Sequence, residues 1–212
     1  LGLGMWNGLY FLFVDVFLGL GEYYAVMSIV GLTAGLALVP LCYKITMIIG
    51  KQRSWFLCAM LVVAFMFYCS LLNPGKSNVA DLMVVQTIFV MASTFLNILG
   101  PVMVNDAVDY GLVVGSDQIS SGGRGVYLSL YLFVVKVEVS LGLSLGLILS
   151  GWLGFDATAT EQTGEGAFAL MFSMVWLPII LLFLGMIFIY RMPLNENRME
   201  IISRRLERAN RS

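Results

Sequence analysis

Long apolar runs separated by short polar breaks constrain this chain more than any other feature. A helix that crosses a bilayer core needs about 20 mostly apolar residues, and such runs lie at 1–20, 25–43, 55–72, 82–104, 126–154 and 167–190. A soluble bundle has no use for so many, because each of its helices buries one stripe and wets the other. Composition agrees. Apolar residues make up 59% and charged residues 12%, with mean hydropathy +0.90, against about 45–50% and about 25% in a soluble domain. The pattern predicts an all-α membrane protein, a bundle of six transmembrane helices over 1–190 with a basic tail over 191–212. Its main solvent is the lipid bilayer.

Several function classes drop out on the same grounds. The net charge of −1 gathers into no basic face for nucleic acid. No histidine is present, which removes Ser-His and Cys-His catalysis and the usual zinc sites, and no glycine-rich nucleotide loop follows a strand-like run. Cys42, Cys58 and Cys69 sit in or beside apolar runs without paired spacing, so neither a disulfide framework nor a metal knuckle is indicated. No enzyme and no cofactor is expected. The chain opens on Leu1-Gly2-Leu3-Gly4, already membrane-like and without a basic leader, so it is expected to begin part-way through a longer polypeptide.

Basic residues set the expected orientation. With alternating spans, Lys44, Lys51, Arg53, Arg124, Arg191, Arg198, Arg204, Arg205, Arg208 and Arg211 fall on one side, Lys76 on the other, and Lys136 within the membrane. The basic side, with the tail, is expected to be cytoplasmic. The tail places Met199, Ile202 and Leu206 at helical spacing among arginines, which predicts a short helix on that face. The longest polar connection, 105–124, carries Asp106, Asp109, Asp117 and Arg124. Opposite signs there predict a charge cluster across the helix ends.

Polar residues inside the spans are the candidates for chemistry. Lys136 lies about ten residues into the fifth span, where a charge costs roughly 2.5–3.5 kcal/mol at mid-depth and commonly marks an ion or substrate pathway. A structural lysine, paired or snorkelling, is the alternative. Glu138 is two residues on, about 200° around the helix, so it shares no face with Lys136. In the fourth span Gln86, Ser93, Asn97 and Gly100 form one stripe, suited to a hydrated path or to interhelical hydrogen bonds. Asn7 and Asp15 put polar groups in the first span, Asp15 near its outer end as a candidate cation or substrate ligand or an interface cap. Ser140, Gly142, Ser144 and Gly146 interleave small residues that permit close helix contact.

Asp106-Ala-Val-Asp109-Tyr110-Gly111, then Arg124, then Tyr127 to Lys136, resembles the glycoside-pentoside-hexuronide cation symporters, the melibiose permease group of the major facilitator superfamily. Gly50-Lys51-Gln52-Arg53 resembles the basic loop between the second and third helices of a major-facilitator half, and Pro193-Leu194-Asn195-Glu196 the start of the family's tail. The resemblance implies the C-terminal six-helix half of a twelve-helix transporter, with a small solute bound near the midplane between the halves. It implies coupling to Na+ or H+ through carboxylates of the N-terminal half. It maps Asp106, Asp109, Tyr110 and Arg124 onto a cytoplasmic gate, and Lys136 onto a lysine beside the sugar and cation sites. A bacterial inner membrane is the implied location. Leu112 and Gly125 stand where the family has acidic residues, and Leu132 where a sugar carrier gains from a polar group, so a lysolipid-type cargo stays open beside a sugar. A non-transporting subunit that keeps the half-bundle is the remaining alternative.

Overall fold

The structure, a computed structural model, describes residues 1–72, 79–114, 123–156 and 164–191, with the backbone alone at 109–114, 123 and 124. The described residues form helices. α1 (Gly2–Leu12) runs into a π turn at Phe13–Phe17; α2 (Gly21–Ile49), α3 (Lys51–Ser70), α4 (Val79–Val114) and α5 (Gly123–Trp152) follow. α6 (Gly164–Met171) passes through a second π turn, Phe172–Trp176, into α7 (Leu177–Tyr190). Five helices are long and apolar enough to cross a membrane, α6 and α7 counting as one through their π turn, and Gly2–Phe17 is a shorter apolar helix. This is the all-α half-transporter architecture expected from the sequence.

Two boundaries differ from the sequence reading. The basic loop at 44–53 shrinks to one residue, because 44–49 contains no breaker and α2 continues to Ile49. Gly50 makes the turn at φ 93°, a region that costs a residue with a Cβ. Likewise α4 continues through Asp106 and Asp109 to Val114, so these acids lie on a helix, three residues apart on one face, and not in a loop. The tail beyond Arg191 and its expected helix lie outside the described residues.

Glycines set which helices touch. A Cβ at Gly142 of α5 would stand 2.5 Å from the Leu1 carbonyl oxygen and 2.9 Å from the Met5 nitrogen, and one at Gly4 of α1 would stand 2.8 Å from the Val139 carbonyl. Gly8 against Leu143 and Gly146 against Leu9 extend the seam. α1 and α5 thus pack nearly backbone to backbone and in the same direction, as the interleaved small residues implied. Gly31 and Gly35 seat α2 along α4 at Gln86, Val90 and Met91 in the same way. α3 runs antiparallel to α4, its start meeting Asp106 and its middle placing Phe65 4.6 Å from Phe89 between ring centroids.

The core is aromatic where three helices meet. Trp6 of α1 stacks on Tyr10 at 5.3 Å and meets Phe65 edge-on at 5.4 Å. The Tyr10 hydroxyl donates to the Gln86 side-chain oxygen of α4, and both residues are buried. A buried acceptor stripped of its donor is costly, so Tyr10→Phe is expected to lower stability by about 1–2 kcal/mol. Adding Gln86→Leu to that variant should recover most of the loss. Thermal unfolding of the two variants in detergent checks this, and an additive double variant would contradict it.

The second π turn has a visible cause. Pro178, near the start of α7, has no N–H for the carbonyl one turn earlier, and its ring crowds that carbonyl. The first π turn has no proline behind it. Gly19, two residues beyond it, turns the chain at φ 69°.

Candidate functional site

α5 is the least enclosed span. Only 11% of its most apolar stretch is buried, and 22% of that of α2, against 44% in α3 and 39% in α4. The reason is the narrow glycine seam: α5 packs closely on α1 along Gly142 and Gly146, meets α4, α6 and the second π turn at fewer points, and leaves much of its circumference open. Lys136, Ser140 and Ser144 are exposed on it, Ser144 donating to the Ser140 carbonyl at 3.0 Å. Glu138 turns away toward α1, where a carboxylate oxygen lies 3.0 Å from the Leu1 nitrogen.

Asn97 joins Lys136 at one depth. Tyr131 of α5 reaches α4 at Gly100, where a Cβ would collide with its hydroxyl oxygen. α4 runs parallel to α2 and α5 parallel to α1, so α4 and α5 run opposite ways. Stepping back from Gly100 to Asn97 and forward from Tyr131 to Lys136 therefore moves the same way, by roughly 5 Å and 8 Å. Asn97 is exposed, and its side-chain nitrogen donates to the Ser93 carbonyl at 2.9 Å. That leaves its side-chain oxygen as an acceptor. Pro101, four residues on, supplies no N–H to the Asn97 main-chain carbonyl. Asn97 thus offers acceptors on α4, and at similar depth Lys136 of α5 exposes an ammonium with three donors, about 140° around its helix from Tyr131.

Gln86 belongs to the same stripe as Asn97, yet α2 crosses over that end of it, and Gln86 is 5% exposed with Tyr10 as its partner. It braces α1 against α4 and is not on the open face. Asn7 is exposed beside the glycine seam, level with about Leu143. Asp15 is exposed in the first π turn and folds back over Gly21, the first residue of α2, where a side chain of any size would collide with its carboxylate. The structure does not carry Asp15 to the depth of Asn97 and Lys136.

At the basic end, Asp106 accepts two hydrogen bonds from the Lys51 ammonium, 2.7 Å and 3.0 Å long. Asp109, Tyr110 and Arg124 lie on α4 and α5, but their side chains are outside the described residues, and so is the expected cluster among them. Gln52 donates to the Ile189 carbonyl at 2.9 Å, satisfying one of the orphan carbonyls at the end of α7. Gly50, Lys51 and Gln52 therefore tie α2, α3, α4 and α7 together in three consecutive residues. Sequence reasoning found the basic residues and missed their partners, and it missed Tyr131. Pro101 four residues after Asn97 was the readable signal for the main-chain acceptor.

A comparison with curated proteins finds no match. Residues 1–196 match the family described as MFS/sugar transport protein. Since that match spans nearly all of a helical bundle with five membrane-crossing apolar helices, the chain belongs to the MFS/sugar transport family.

Proposed function

We propose that this chain is the C-terminal half of a cation-coupled transporter for a small hydroxyl-rich solute, a sugar or glycoside, working by alternating access. The reading rests on the sugar-transport family match over residues 1–196, together with the open surface of α4 and α5 on which Asn97 and Lys136 are exposed at similar depth. Acceptors at Asn97 and a triple donor at Lys136 suit a polyol, whose hydroxyls both donate and accept. The N-terminal half covers that face, supplies the carboxylates for Na+ or H+, and closes the pathway. Coupling arises because cation and solute each favour one of two arrangements of the halves, with a shared free energy typically of 1–3 kcal/mol. The basic end faces the cytoplasm of a bacterial inner membrane, because lysine and arginine concentrate there.

The test is uptake by the whole transporter in sealed vesicles under an imposed Na+ or pH gradient. Accumulation of a sugar or glycoside that collapses with an ionophore for the coupling ion is expected. Equilibration without accumulation under either gradient would remove the coupling, and no flux of any kind would point to a structural subunit.

The Lys51–Asp106 pair is the gate element on this half. Lys51 is 44% exposed and Asp106 23%, so water screens the pair and its stability contribution is under about 1 kcal/mol. Its larger effect is on the balance between states. Lys51→Glu is expected to abolish most uptake by setting two carboxylates together, and Lys51→Glu with Asp106→Lys to restore a substantial part. Equal uptake in the single and double variants would remove the pair from gating.

A further inference from the structure

We infer that the outer surface shared by α3 and α7 binds an anionic phospholipid, its headgroup phosphate held between Arg53 and Arg191. The two helices are antiparallel neighbours fixed at both ends. Phe67 meets Trp176 edge-on at 6.2 Å at one end, and Gln52 donates to the Ile189 carbonyl at the other. Arg53 follows Gln52 directly, and Arg191 lies two residues after Ile189. The hydrogen bond that joins the helices therefore sets residues 53 and 191 at one junction.

The faces below them are apolar and open. Arg53 shares its stripe of α3 with Phe56 and Met60 at intervals of three and seven, and Arg191 shares its stripe of α7 with Leu184 and Ile187 at seven and four. These four apolar residues and both arginines are exposed. Among the described residues neither guanidinium meets a carboxylate. A pair of apolar stripes, each ending in an arginine at the same end of the bundle, complements a molecule with two acyl chains and one anionic phosphate. Arginine suits that phosphate through its planar donor fork. The site faces lipid and is separate from the α4–α5 face assigned to solute.

Native mass spectrometry of the full transporter, titrated with phosphatidylglycerol or with phosphatidylcholine of the same acyl chains, tests the assignment. Wild type is expected to prefer phosphatidylglycerol. In R53Q/R191Q that preference should fall by about 25-fold, from roughly fivefold for each basic residue near an anionic headgroup. Lys44→Gln, which removes an exposed cation from α2, should leave it unchanged. An equal loss in Lys44→Gln, an unchanged preference in the double variant, or displacement of the bound species by millimolar inorganic phosphate would overturn the lipid site. Because the double variant could fail to fold, a photoreactive phosphatidylglycerol on wild type provides an independent reading. Labelling should concentrate in 53–60 and 184–191, and labelling confined to other helices, or a dimer that buries this face, would overturn the proposal.

Discussion

Gly142→Val is expected to cost about 3 kcal/mol or more of bundle stability, the upper end of overpacking penalties. The added Cβ alone would lie 2.5 Å from the Leu1 carbonyl oxygen and 2.9 Å from the Met5 nitrogen, and backbone atoms cannot rotate aside as a side-chain end does. Relief requires α1 and α5 to separate, which also loosens Gly4 from Val139 and Gly146 from Leu9. Even Gly142→Ala should be strongly destabilising. Gly151 near the end of α5 and Gly185 within α7 have open space where a Cβ would go, so alanine there should be neutral or stabilising by up to about 1 kcal/mol, through reduced backbone freedom of the unfolded chain. Thermal unfolding of the three alanine variants in one detergent is the comparison. Equal unfolding temperatures would show that the seam is not tight.

Lys136→Ala is expected to reduce cation-driven accumulation roughly tenfold to a hundredfold, the range of typical coupling energies, and to leave folding intact. Lys136 is exposed in this half and forms no ion pair among the described residues, so its removal breaks no packing here. Deleting a charge at mid-depth also eases insertion. The loss should therefore appear in gradient-driven uptake, while exchange of solute without a gradient falls less and the unfolding temperature stays within about a degree or two. Lys136→Arg should restore little, because a planar guanidinium does not replace a compact ammonium at a close site. Wild-type accumulation in Lys136→Ala would remove the residue from coupling.

The helical bundle was legible because its cause is local: runs of apolar residues need a bilayer whatever their neighbours are. The Gly142 and Gly146 seam was legible for the same reason, since spacing within one helix predicts a close contact. What the contact meets is not local. Nothing at Lys51 distinguishes an arginine-like surface cation from a partner of Asp106, 55 residues away, and nothing at Gln86 says that α2 covers its end of the stripe while Asn97 stays open. Boundaries failed where polar residues were equated with loops: Asp106 and Asp109 are tolerated in a helix that reaches past the membrane into water. Asp15 was read as a ligand or an interface cap near the outer end of its span, and the π turn that carries it toward Gly21 has no signal in the sequence beyond the glycines behind it.

The three-residue clamp at Gly50 to Gln52 also fixes an order of assembly. The Gly50 turn exists as soon as α3 is made, and Lys51 can close on Asp106 once 55 further residues have followed. Gln52 has to wait for Ile189, 137 residues downstream, a delay on the order of ten seconds at ordinary rates of synthesis. A nascent chain halted before α7 would thus hold α2, α3 and α4 in their final register while its last lock stands open to water at the membrane surface. The arrival of α7 is then what closes the clamp.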